Sequence, residues 1–212
     1  MAIKSKSSSE PRELIEAGMH IARAYQMLEI GTNEENILGK TKRLCKVRIG
    51  WELPECLRVF NEEKGEQPCV ISKEYTLSMN EKANLRKDLE SWRGKKWSDQ
   101  EANDFDITKL VGAPCLLNIT HKASKDGSRF YEEISSITPL MKGQVCPPAV
   151  NPAQILEYDN FNEELFNSLP DFIKDKIKSS EEYQQMRNPT KDQFVDNKGE
   201  LIPAGDDDDL PF

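Results

Sequence analysis

The stretch KTKRLCKVRIGWELPE, residues 40–55, alternates strictly. Cys45, Val47, Ile49, Trp51 and Leu53 fall on one side of an extended chain, and Lys42, Lys46 and Arg48 fall on the other. A period of two commits the segment to a strand with one apolar face and one basic face. No acidic residue lies between Glu35 and Glu52, so the five charges Lys40, Lys42, Arg43, Lys46 and Arg48 have no neutralising neighbour along the chain.

Other elements arrange themselves around this strand. Before it, MHIARAYQMLEIGT reads as a long first strand, with a helix as its rival, ending at the turn signal Gly31-Thr32-Asn33. After it, the polar loop NEEKGEQP leads to a third strand, CVISKEYTL, closed by a capping box over Ser78 and Glu81. A helix follows with Leu85, Leu89 and Trp92 on one stripe and Gly94 at its end, and a second short helix is expected from Ser98 with Glu101 three residues on. VGAPCLLNITHK and RFYEEISSITPL then flank a glycine-containing turn as a hairpin.

Strand, strand, strand, helix, strand, strand is the order of the OB fold, a five-stranded Greek-key barrel that binds single strands across its second and third strands. Other small barrels and mixed α+β sheets share that order. The expected division is a polar, disordered segment over 1–12, a barrel domain over 13–142, a proline-punctuated linker over 143–154, a helical segment over 155–183, and a flexible acidic tail over 184–212. Phe172, Ile173 and Ile177 form the apolar face of the helical segment.

Charge separates along the same boundaries. Residues 151–212 carry a balance of −9 and residues 1–150 one of +1, so an acidic total does not exclude a polyanion as partner of the body. With 37% hydrophobic and 31% charged residues and no run near the roughly 20 apolar residues a membrane span needs, the chain is expected to be cytosolic, with no membrane partner. The five cysteines match neither a CxxC metal pair nor a disulfide framework and are expected to be reduced, and with only His20 and His121 a metal site or histidine triad is not supported.

The chemistry that remains is binding. Side chains at alternate strand positions project about 6.5–7 Å apart, near the spacing of phosphates in an extended single strand. Lys42, Arg43, Lys46, Arg48 and Lys73 are therefore candidates for a nucleic-acid backbone, and His121, Lys122, Lys125 and Arg129 for a cationic, mobile clamp in the loop between the last two strands. Unpaired bases need flat rings. Trp51, Tyr75, Trp92, Trp97, Phe130 and Tyr131 are available; alternation puts Trp51 inward and the helix stripe claims Trp92, which leaves Tyr75 and Tyr131 as the stacking candidates. Each cation has the competing role of simply keeping a strand face wet. No phosphate loop, nucleophile elbow or HExxH helix occurs, and Glu157, Asp159, Glu163 and Glu164 lie in a polar connector without a rigid frame for a two-metal nuclease, so no catalytic residue and no cofactor is expected.

GWELPE after a basic strand, then SKEYTLSMNEKANLRKDLESWRGKKW and GAPCLLNITHKASKDGSRFYEEISSITPL, resembles phage-encoded single-stranded DNA-binding proteins. The ending DDDDLPF is similar to the acidic tip of bacterial ones. The resemblance covers residues 16–142 and the last seven. It implies a barrel that holds single-stranded DNA without sequence preference, with Lys42, Lys46, Arg48 and Lys73 on the backbone and Tyr75 and Tyr131 on bases. It further implies that Asp206, Asp207, Asp208, Asp209, Leu210, Pro211 and Phe212 recruit replication, recombination and repair proteins. The bacterial tip carries isoleucine where Leu210 stands, and its barrel is shorter and forms tetramers, so partner identity and assembly do not carry over. Residues 155–183 are open to three roles: packing on the barrel, forming a homo-oligomer, or binding another protein. An adaptor whose barrel binds protein is the alternative function. The DNA reading requires that Lys46, Arg48 and Lys73 share one wall and that the C-terminal half leaves it open.

Overall fold

The computed structural model describes residues 13–189. The polar N-terminus, most of the tail and the tip Asp206 to Phe212 lie outside the described residues.

Among the described residues the chain is mainly β, with one six-stranded curled sheet and five short α-helices. Strands β1 (Gly18–Ile37), β2 (Lys40–Asn61), β3 (Gly65–Thr76), β4 (Pro114–Ala123) and β5 (Phe130–Thr138) pair antiparallel in the order β3-β2-β1-β4-β5. A sixth strand, β6 (Gln154–Leu156), adds parallel to β1 at Gln26–Leu28. The curl brings the two outer strands together, and Lys73 Nζ on β3 lies 3.4 Å from the carbonyl oxygen of Ile134 on β5.

The alternation read from residues 45–53 holds. Val47, Ile49, Trp51 and Leu53 are buried beneath helix α1 (Asn84–Arg93), whose Leu85, Leu89 and Trp92 fill the same core. Trp51 and Trp92 lie 5.9 Å apart between ring centres, and the Trp92 indole donates to the Pro114 carbonyl at 2.9 Å. Gly94 ends the helix in the left-handed conformation, as expected. Helix α2 (Asp99–Asn103) starts with the capping box Ser98/Glu101. The box expected at Ser78 and Glu81 is not formed. Residues 78–83 are held instead by turn bonds, including Lys82 N to Asn80 Oδ1 and Ala83 N to the Asn80 carbonyl, and α1 begins only at Asn84, with no side-chain cap.

The first strand also outruns its predicted end. Gly31 does not turn the chain; at φ +84° it makes a bulge against β2, and β1 runs on to Ile37. A Cβ on Gly31 would sit 2.7 Å from both Glu182 Oε2 and Ser180 Cβ, so this position serves a close approach by another element. The hairpin turns at Leu38-Gly39, both at positive φ.

That approaching element belongs to the C-terminal segment. Residues read as a linker lead into β6, and helices α3 (Glu163–Ser168), α4 (Asp171–Lys178) and α5 (Glu181–Arg187) follow, the last extending into the expected tail. A second core forms from Leu28 and Ile30 of β1, Leu156, Phe166, Leu169, Ile173 and Ile177, flanked by Tyr158, Phe161 and Tyr183. Of the three open roles for residues 155–183, packing on the sheet is the one observed. Phe172, expected on the buried face of α4, is 56% exposed.

Two glutamates tie this cap to the sheet. Glu74 on β3 takes Lys176 of α4 at 2.8 Å, and Glu182 of α5 accepts from the amide and hydroxyl of Thr32 at 2.6 Å each. Burial raises the Glu74 carboxyl, but the hydrogen bond and charge of Lys176 with the charges of Lys46 and Arg48 outweigh it and hold it below the ordinary 4.5. For Glu182 burial again raises, and the Thr32 bonds outweigh it. A carboxyl lowered by folding stabilises above its unfolded value, and that contribution is lost as pH falls through the folded value. On acidification from neutral pH through 4.5 and below, the methyl resonances of Ile173 and Ile177 are expected to lose their packed shifts before those of Ile49 and Ile119 do.

Candidate nucleic-acid interface

The requirement set by the sequence is not met: Lys73 does not share the wall of Lys46 and Arg48, and the C-terminal helix α4 packs onto that wall. Lys46 and Arg48 do share the outer face of β2, but antiparallel pairing sets Glu74 opposite Arg48. Glu74 lies 3.5 Å from Lys46 and 3.9 Å from Arg48, and Lys46 also bonds Glu35 across the β1–β2 hairpin. Arg43 is clasped by Glu181 of α5. The charges without an acidic neighbour along the chain thus acquire several across it. Lys42 stays exposed, with no partner among the described residues.

Lys73 falls on the other face of the sheet. It is paired opposite Ile49, an inward residue, and its ammonium bonds Asp88 of α1 at 2.6 Å. Tyr75, opposite Val47, is 4% exposed and donates its hydroxyl to the same Asp88 oxygen at 2.8 Å. Burial first, and Asp88 second, push that hydroxyl well above the usual tyrosine range. An inward-facing, hydrogen-bonded ring is not a platform for bases, which corrects the expectation for Tyr75. Lys46, Lys73 and Tyr75 still line one pocket of about 490 Å³ at the end of β3, with Ser78, Asn80 and Lys82, whereas Arg48 lines a different groove.

In the β4–β5 hairpin the outcome is divided. His121 Nε2 donates to the Ile15 carbonyl at 2.7 Å, so this ring ties down the N-terminal segment. Lys122 is held by Glu133. The loop expected to be mobile is built on Asp126, which accepts from the hydroxyls of Ser124 and Ser128, and these bonds hold its carboxyl at about 2. Lys125 and Arg129 are exposed, and their side chains have no partner among the described residues. Phe130 and Tyr131 are 62% and 46% exposed.

A groove that sequence reasoning did not isolate runs along the free edge of β3. It has a volume of about 960 Å³ and is lined by Arg48, Arg58, Val59, Phe60, Val70 and Phe172, among others. Arg58 donates to the carbonyls of Glu13 and Leu14, and Ile15 N donates to Glu132 on β5, so residues 13–15 bridge the β2–β3 and β4–β5 hairpins. The Arg48 guanidinium lies 5.6 Å from the centre of the Phe172 ring. Phe60 is 61% exposed, and Phe130 stands two residues from Glu132, hence on the groove side of β5. Charge in the groove is mixed, since Glu13, Glu66 and Glu132 line it beside the two arginines. The sequence did hold a signal for it. CLRVF puts Leu57, Val59 and Phe60 on a hairpin strand beyond the reach of β1, where an apolar run has nothing to pack on.

Among the described residues no cluster of three or more metal-ligating side chains occurs, and no helix is long and apolar enough to cross a membrane. Glu163, one of the carboxylates weighed for a nuclease, pairs with Arg187 of α5. A scan against protein-family models finds no match, and a search among curated proteins finds no relative.

Proposed function

We propose that the chain binds single-stranded DNA without sequence preference on an OB-type barrel, through the groove along β3 rather than the outer wall of β2. The carrying observation is the pair of exposed rings Phe60 and Phe172 beside Arg48 and Arg58, with exposed Phe130 on the same face of β5 as the groove residue Glu132. Stacking a base on such a ring contributes about 1–3 kcal/mol whatever the base, while the arginines meet the backbone. Lys125 and Arg129 stand in the loop that precedes β5, whereas Tyr131 alternates to the face of β5 away from the groove. The tip Asp206 to Phe212, by its chemistry, suits an apolar pocket with a cationic rim on a partner in replication, recombination or repair.

All three tryptophans are buried, so labelled oligo(dT) followed by anisotropy is the suitable probe. Four cations stand on or near the groove, and each phosphate neutralised contributes about −0.7 to the slope of log K against log[salt], so the slope is expected to be negative but no steeper than about −3. Phe60→Ala and Phe130→Ala, both at exposed sites, are each expected to weaken binding roughly 5- to 150-fold with unchanged unfolding midpoints. Absence of oligo(dT) binding at low salt would overturn the proposal. Shortening the chain to end at Gly205 is expected to abolish capture of partner proteins and to leave oligo(dT) binding in place.

The second reading, a protein-binding adaptor, is favoured by one feature. Three glutamates against two arginines, with Leu57, Val59 and Val70 on the walls, suit a polypeptide segment as well as a polyanion. It predicts no salt-dependent oligonucleotide signal at all.

A further inference from the structure

Two of the five cysteines meet at the base of the β2–β3 hairpin. Cys56 Sγ and Cys69 Sγ lie 2.9 Å apart, although 13 residues separate them in the chain. That is inside the roughly 3.5–4.0 Å at which non-bonded carbon-sized atoms sit, and sulfur is larger. The contact is made by the register. Leu53 pairs with Cys69 and Leu57 with Pro68, so Pro54, Glu55 and Cys56 bulge out of β2 opposite a single step of β3, and the bulge turns Cys56 onto Cys69. Cys56 is partly exposed and Cys69 is buried. Cys146 points its sulfur at the Ala22 carbonyl.

We propose that Cys56 and Cys69 form a reversible disulfide that pins the β2–β3 hairpin. The co-reactant is a low-molecular-weight disulfide of the oxidised-glutathione class. The Cys56 thiolate, the accessible one, attacks a reagent sulfur; the reagent S–S bond breaks, a mixed disulfide forms on Cys56, and one glutathione thiolate leaves and takes up the proton Cys56 has lost. Cys69 then attacks the Cys56 sulfur. The internal S–S bond forms, the mixed bond breaks, and a second glutathione leaves with the proton from Cys69. Two protein thiols are oxidised and one reagent disulfide is reduced to two thiols. A bond between residues already in contact asks for little backbone movement, and two equivalents of a low-molecular-weight thiol, or one dithiol, reverse it.

The position gives the bond a consequence. Cys69 lines the groove along β3, and the hairpin carries its Arg58, Val59 and Phe60. Oxidation would fix one wall of that groove without adding or removing a charge. The inference rests on thiol geometry alone and stands whatever occupies the groove.

The full chain, equilibrated with oxidised glutathione, is expected to lose two of its five titratable thiols. Trypsin should then release residues 49–58 joined to residues 65–73, dithiothreitol should restore all five thiols, and amide exchange over residues 57–68 should slow in the oxidised form. Cys45→Ser/Cys146→Ser should still lose two thiols, and Cys56→Ser should lose none. A glutathione adduct left on Cys56, a cross-link through any other cysteine, or an unchanged thiol count would each overturn the proposal. Peptide mapping on the unmodified sequence decides the matter even if a serine variant fails to fold.

Discussion

Glu52→Ala is expected to lower the unfolding free energy by about 3–5 kcal/mol, read from the urea midpoint. Glu52 sits mid-strand on β2 and is fully buried. Its carboxylate accepts from Asn151 N at 2.8 Å, from Asn151 Nδ2 at 3.0 Å and from Val150 N at 3.3 Å, and it lies 3.8 Å from Arg23 Nη1. That last contact is an ion pair without a hydrogen bond, and Arg23 Nη1 has no hydrogen-bond partner of its own. Removing the carboxylate therefore leaves a buried guanidinium nitrogen uncompensated and two backbone amides unpaired, each a desolvation cost with nothing to offset it. Because residues 150 and 151 are the approach to β6, the loss should also show as faster amide exchange over residues 150–156. Glu52→Gln keeps the shape and one acceptor oxygen and is expected to recover part of the loss. A midpoint unchanged by Glu52→Ala would mean that the carboxylate holds nothing in place.

Ile177→Ala is the second large effect, expected at about 2–5 kcal/mol on the C-terminal cap. Ile177 is fully buried in the second core, among Leu28, Ile30, Phe166 and Ile173, and a smaller side chain leaves a cavity between α4 and β1. The two cores share no buried residue, so the damage should be regional. Protease sensitivity is expected to rise across residues 154–187 while β1 to β5 keep slow exchange. Uniform loss of protection would show instead that sheet and cap unfold as one unit. Released from the cap, Lys46, Arg48 and Arg43 lose Lys176, Phe172 and Glu181 as neighbours, so tighter oligo(dT) binding by this variant would point back to the outer wall of β2 as the strand-binding surface.

How much of this was legible beforehand depended on the range of the interaction. Trp51 as a core residue followed from alternation, and Leu85, Leu89 and Trp92 from helical spacing, because both periods are local geometry. Ser98 with Glu101 made its capping box, yet Ser78 with Glu81 did not. The two strings look alike over four residues, and what separates them is the set of turn bonds around Asn80, which no short window contains. Gly31 misled in the same way: a glycine at positive φ serves a bulge as well as a turn, and the choice was made by Glu182 and Ser180, some 150 residues on. For the candidate interface, the cations could be listed from the sequence, but their availability was not readable. Lys46, Arg48 and Arg43 found acids on β1, β3 and α5, and Tyr75 turned inward with Lys73 toward Asp88.

The amino-acid order by itself determined which residues alternate, the apolar stripe and the end of α1, the β4–β5 hairpin, and that the charge is concentrated at one end, since these depend on neighbours a few positions apart. Only the tertiary structure decided that helices α4 and α5 pack against the basic wall, that a groove with exposed rings opens along β3, and that Cys56 meets Cys69. Each of these turns on register and on contacts between distant segments, and a one-residue shift in pairing would reverse the face of every side chain involved.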